Sequence, residues 1–155
     1  MGPRMQDEFT ELLETAIYKE VASQAFYEAG QHHTNDAGAR ALMRELADAE
    51  LRHTQMLKEL RQRDWKGDEW AREKIPNLRI SEHLTGGDKL EGASLQDTLL
   101  FAMKREQQAL EFYSHMMSAL RDKDAKLLCQ KLAQDELKHK LKLETLYDDL
   151  FYQED

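Results

Sequence analysis

Cysteine is almost missing from this chain of 155 residues: Cys129 stands alone. An intrachain disulfide is therefore excluded, and one thiol does not identify a redox compartment. Proline is nearly as scarce, with Pro3 and Pro76 both outside the long helical patterns. The seven glycines fall mostly in connections. No apolar run approaches the ~20 residues of a membrane span, and no secretory signal pattern opens the chain, so a cytoplasmic protein with no membrane contact is expected. A net charge of −8 disfavours nucleic acid as a partner and mildly attracts cations. What is abundant suits amphipathic helices: 41% hydrophobic residues beside 34% charged ones. The length suits one domain over residues 1–155.

The chain also contains itself twice. Glu20, Phe26-Tyr27 and Glu50-Leu51-Arg52-His53 return as Glu106, Phe112-Tyr113 and Glu136-Leu137-Lys138-His139, each member 86 residues after its counterpart. A gap-free overlay of residues 13–60 on 99–146 gives 15 identities in 48 positions. The period indicates a duplicated helical hairpin whose shared residues are largely of metal-ligand type.

Spacing alone places those residues together. In each copy the lone Glu and the Glu of Glu-x-x-His are 30 positions apart, with a polar, turn-like stretch at the midpoint: around Asn35 in one, around Arg121 in the other. Two antiparallel helices joined there hold both carboxylates at one height, roughly 22 Å from the turn at 1.5 Å per residue. Glu and His at i, i+3 share a helix face. Each candidate interrupts an apolar stripe: Leu13, Ala16 and Ile17 before Glu20, Leu46 and Ala47 before Glu50, and their counterparts in the second copy. Ionised carboxylates on a core stripe are costly unless paired or coordinated. Two divalent cations would neutralise the four carboxylates. The competing reading, a buried ion-pair network, gives no reason for the doubled spacing.

Helices are predicted at about 6–32, 37–63, 94–120 and 123–150. The segment between the second and third, about 30 residues with Trp65, Trp70, Pro76 and four glycines, is far longer than usual bundle connections. A crossover running the length of the bundle accounts for it.

A Glu on each of two helices with Glu-x-x-His on each of the other two resembles the ferritin-like di-iron carboxylate bundles. Within them the chain is most similar to the di-iron domain of rubrerythrins, over about residues 6 to 150. The resemblance implies an all-α, ferritin-like four-helix bundle of two hairpins with one long crossover. It implies two Fe ions, although Mn and Zn accept such ligands too. Glu50 and Glu136 would bridge them, Glu20 and Glu106 would bind terminally, and His53 and His139 would complete the set. Two departures follow. Rubrerythrins usually carry another carboxylate where this chain has Ala109, and their rubredoxin module needs four cysteines where this chain has one. Asp135 matches a residue that orients the opposite imidazole in bacterioferritins, here His53; Ala49 replaces its counterpart, so His139 needs another partner.

The remaining candidates are assigned by face. Tyr27 and Tyr113 lie on the ligand side and are expected to hydrogen-bond ligand carboxylates. Gln24 is expected to face inward, toward the cluster or in helix packing. His115, His32, His33 and His83 read as solvated, and the methionines as gap-filling core rather than haem ligands. The implied function is reduction of hydrogen peroxide or dioxygen at a carboxylate-bridged di-iron centre, with electrons from an external donor. The alternatives are a ferroxidase coupled to iron handling and a non-catalytic iron or manganese binder. A homodimer is expected, with helix exchange as one form of it.

Overall fold

The computed structural model describes residues 5–63, 90 and 92–152. They form four helices: α1 (Met5–His32), α2 (Ala37–Gln62), α3 (Leu95–Ala119) and α4 (Lys123–Phe151). Every end lies within one residue of the range expected from the sequence.

The starts of α2 and α4 are fixed by the same device. Asp36 caps α2 through the Ala39 amide at 2.8 Å, and Asp122 caps α4 through the Ala125 amide at 2.9 Å. Each cap satisfies one amide that the first turn leaves without a helical acceptor. Cap and target both obey the 86-residue repeat. Ser94 does the same for α3 through the Asp97 amide at 3.1 Å.

Helix α1 packs along α2 and α3 along α4, and the two hairpins meet mainly through α2 and α4. Tight approach in the first hairpin depends on Gly30, where a Cβ would lie 2.4 Å from the Met43 sulfur. Gly92, just before α3, has a φ of 78°, which side chains rarely adopt.

Apolar residues form two core clusters, one at each end of the bundle. The first gathers Phe9, Leu13 and Ile17 of α1, Leu57 and Leu60 of α2, Phe112 and Met116 of α3, and Cys129 and Leu132 of α4. The second gathers Phe26 and Tyr27, Met43 and Leu46, Leu99 and Ala102, and Leu143. Chain order through the two clusters makes α1 and α4 run one way, α2 and α3 the other. Helix α2 thus ends at the first cluster and α3 begins at the second, so their connection must return along the whole bundle, as the sequence implied. Leu90, near the end of that connection, is buried in the second cluster. Trp65, Trp70 and His83 lie outside the described residues.

Candidate metal centre

All six repeated ligand candidates fall in the interval between the two core clusters. Glu20, Glu50, Glu106 and Glu136 are each 1% exposed, His53 2% and His139 8%. Their helices carry them there for the reason the spacing gave: each is equidistant from its turn with its hairpin partner.

The six divide into two overlapping groups, Glu20, Glu50, His53 and Glu136, and Glu50, Glu106, Glu136 and His139. Within each group one ligand atom per residue lies within 4.8 Å of all the others. Glu50 and Glu136 belong to both. The Nδ1 atom of His53 is 2.9 Å from Glu136 and 3.7 Å from Glu20; that of His139 is 3.6 Å from Glu50 and 3.7 Å from Glu106. The two imidazoles lie nearly parallel, 6.0 Å apart.

The surrounding polar groups hold these side chains from behind. Tyr113 donates to Oε1 of Glu20 at 2.5 Å, and Tyr27 donates to Oε1 of Glu106. Each tyrosine therefore serves the other hairpin, not the glutamate seven residues before it. Burial first, then the neighbouring glutamate, pushes both phenols well above their ordinary pKa, so both remain donors. Asp135 meets Nε2 of His53 at 3.1 Å, as the sequence suggested. For His139 no such partner occurs among the described residues, and Ala49 is buried at the repeat position.

What remains is one unsatisfied atom per ligand candidate, all facing one another. Oε2 of Glu20 and Glu106, Oε1 of Glu50 and Glu136, and Nδ1 of both histidines are buried without hydrogen-bond partners among the described residues. Six such atoms in a protein interior would cost several kcal/mol if nothing met them. Their chemistry, four carboxylate oxygens and two imidazole nitrogens, fits two divalent transition-metal ions. Without that charge, burial and the nearby Glu106 and Glu20 push Glu136 well above the usual carboxylate range.

Three residues of the site escaped the sequence reading. Lys19, Arg105 and Ser23 pack against the cluster's α1 and α3 side. Lys19 is buried with its Nζ over the Phe112 ring, and Arg105 lies over the Phe26 ring and donates to Ser23 at 3.0 Å. The available signal was that Lys19 and Arg105 are themselves 86 apart, each directly before a ligand glutamate. Gln24 is half-buried and bonds Glu28 one turn along α1 rather than a ligand candidate. His32, His33 and His115 are exposed, and Met43 and Met116 are core, as expected. Cys129 is buried, and burial raises its thiol to about 12, leaving no reactive thiolate.

Among solved structures, a two-domain protein from Anabaena variabilis with DJ-1/ThiJ/PfpI-like and ferritin-like domains matches with TM-score 0.69 and 17% identity, covering 97% of this chain. This chain spans 39% of that one. A protein from Thermotoga maritima described as ferritin-like and diiron-carboxylate matches with TM-score 0.67 and 25% identity over 89% of this chain and 93% of its own. A dodecameric thioferritin, the bacterioferritin-related protein of Bacteroides fragilis, matches with TM-score 0.72 and 15% identity over 96% and 92%. No curated protein sequence matches significantly. No helix among the described residues is long and apolar enough to cross a membrane. The rubrerythrin family model covers residues 11–147, so with its doubled carboxylate–histidine set, crossed tyrosines and ferritin-like fold the chain belongs to the rubrerythrin family.

Proposed function

We propose that the cluster holds two iron ions and that the loaded protein reduces hydrogen peroxide, or dioxygen, with electrons from an external donor. The observation that carries this reading is the pair of overlapping ligand groups sharing Glu50 and Glu136. Glu20 with His53 would complete one ion's ligands, and Glu106 with His139 the other's, with Glu50 and Glu136 common to both.

Bound there, an iron pair supplies two electrons to one O–O bond, so no one-electron radical need be released. The chain's own contribution is geometric and electrostatic. Tyr113 and Tyr27 each fix one oxygen of a terminal glutamate and leave the second directed inward. Asp135 fixes the ring of His53 with Nδ1 toward the carboxylates. The two core clusters shield the centre from bulk water along the bundle axis. The phenols, held protonated, keep donating through the reaction rather than losing their protons to it.

With Cys129 the lone cysteine, a tetracysteine electron donor is not part of this chain. The reduced protein is therefore predicted to consume about one peroxide per two-iron site and stop, resuming when a separate reductant is supplied. Stopped-flow spectra after mixing with peroxide and with oxygen test this. Sustained turnover of added Fe(II) with oxygen would instead establish a ferroxidase, and inertness toward both oxidants a sequestering protein. We also propose a homodimer as the working form, which light scattering would check.

A further inference from the structure

Helices α1 and α3 meet across the centre through long side chains rather than close backbone contact. Two cations dominate that layer. From α3, Arg105 places its guanidinium 5.1 Å from the Phe26 ring centre and donates to Oγ of Ser23 at 3.0 Å. From α1, Lys19 places Nζ 5.4 Å from the Phe112 ring centre and 5.8 Å from that of Tyr113. Residues 19 and 105 are related by the repeat, as are Phe26 and Phe112.

The symmetry then fails at one atom. The repeat counterpart of Ser23 is Ala109, whose methyl group accepts no hydrogen bond. Lys19 is 4% exposed, and its Nζ has no hydrogen-bond partner among the described residues. A buried amine without a hydrogen-bond acceptor is unfavourable unless one completes it. Burial lowers the pKa of Lys19, opposed by the charges of Glu20, Glu136 and Glu106.

We propose that Lys19 Nζ is a hydrogen-bond donor for a small inorganic anion taken up beside the centre on its α1/α3 side, where the repeat supplies Ala109 in place of an acceptor. The inference rests on reading the six ligand candidates as a two-iron centre. Charge favours an anion over water as the acceptor. Two divalent ions would cancel the four carboxylates, whose charges support the Lys19 ammonium against its burial, so an anion beside Nζ would restore that support. Arg105 is already engaged by Ser23, so the donor in need of an acceptor is Lys19.

Azide is a suitable probe, because its binding to the oxidised, iron-loaded protein is read from the visible spectrum without turnover. Iron content is measured on every sample. The Lys19→Met variant keeps the packing on the rings and is expected to retain its iron while losing about tenfold in azide affinity, the worth of one charged hydrogen bond. Ala109→Ser gives Lys19 the acceptor that Ser23 gives Arg105, and should weaken azide in the same direction. The double variant should lose little beyond Lys19→Met alone. Lys104→Met, on the exposed side of α3, should bind azide as the parent does. Parent-like azide affinity in Lys19→Met with full iron would overturn the anion site and leave the metal centre standing. If that variant does not fold, parent-like affinity in Ala109→Ser overturns it instead. A parent protein that holds no iron would overturn both.

Discussion

Glu20 and Glu106 each have one oxygen anchored by a tyrosine from the opposite hairpin and one oxygen turned inward. That division predicts that Tyr113→Phe lowers affinity for the ion at Glu20 by about 10- to 100-fold while leaving the helix intact, as losses of supporting hydrogen bonds at metal sites do. Metal titration of the variant checks it, and unchanged affinity would show the anchor to be idle. The pH dependence of the metal-free protein follows from Glu136. Its folded pKa lies above the unfolded one, because burial and the charges of Glu106 and Glu20 disfavour its carboxylate. Its contribution is therefore complete below the ordinary carboxylate pKa and is lost as pH rises through the raised value. Glu106 is pushed up by burial but brought below its ordinary value by the polar groups of Glu136, His139 and Tyr27 around it, so its own contribution is constant over that window. Metal-free protein should thus unfold at lower urea concentration at neutral than at mildly acidic pH. Glu136→Gln should flatten that slope, and a parent slope of the opposite sign would contradict the assignment. The convergence of the six side chains was legible from spacing because equal distance from a turn fixes height in a hairpin. The crossed tyrosine pairing was not, since helical periodicity relates residues only within one helix. Lys19 and Arg105 were passed over because charged residues on helices are ordinarily solvated.

The helices owe their limits to short-range chemistry that repeats with the chain. Asp122 both caps α4 and receives Arg63 from the end of α2 at 3.0 and 3.2 Å. Asp122→Ala is predicted to cost about 1 kcal/mol from the cap, with little more from the exposed ion pair. Asp36 has no such pair among the described residues, and Asp36→Ala should cost about the same. Gly30→Ala should cost about 1–3 kcal/mol, because its new methyl meets the Met43 sulfur and that buried side chain must shift to admit it. Chemical denaturation of the three variants gives the order, and a harmless Gly30→Ala would mean that the end of the Met43 side chain moves aside freely. Helix limits were readable to within a residue because turn-forming residues and caps lie where the apolar period stops. The direction of the α2–α3 connection was readable from its length.

At the scale of the whole molecule, four carboxylates occupy the interval between two apolar clusters, and the fold is divided around them. Saturation by a metal at 1,000 times its dissociation constant would add about 4 kcal/mol to the folded state. Anaerobic thermal melts with and without Fe(II) should therefore separate clearly at neutral pH, where Glu136 must otherwise bear either a proton or an unfavourable charge. The family and the buried carboxylate–histidine cluster were accessible to the sequence because duplication wrote the set twice. The charge balance of the centre was not, because it depends on Lys19 and Arg105 crossing between hairpins. The most direct test of the account is the iron content of anaerobically reconstituted protein, measured for the parent and for Glu136→Ala. Shared ligation by Glu136 predicts two tightly held ions per chain in the parent and loss of both in the variant; one ion per chain, retained in Glu136→Ala, would contradict it.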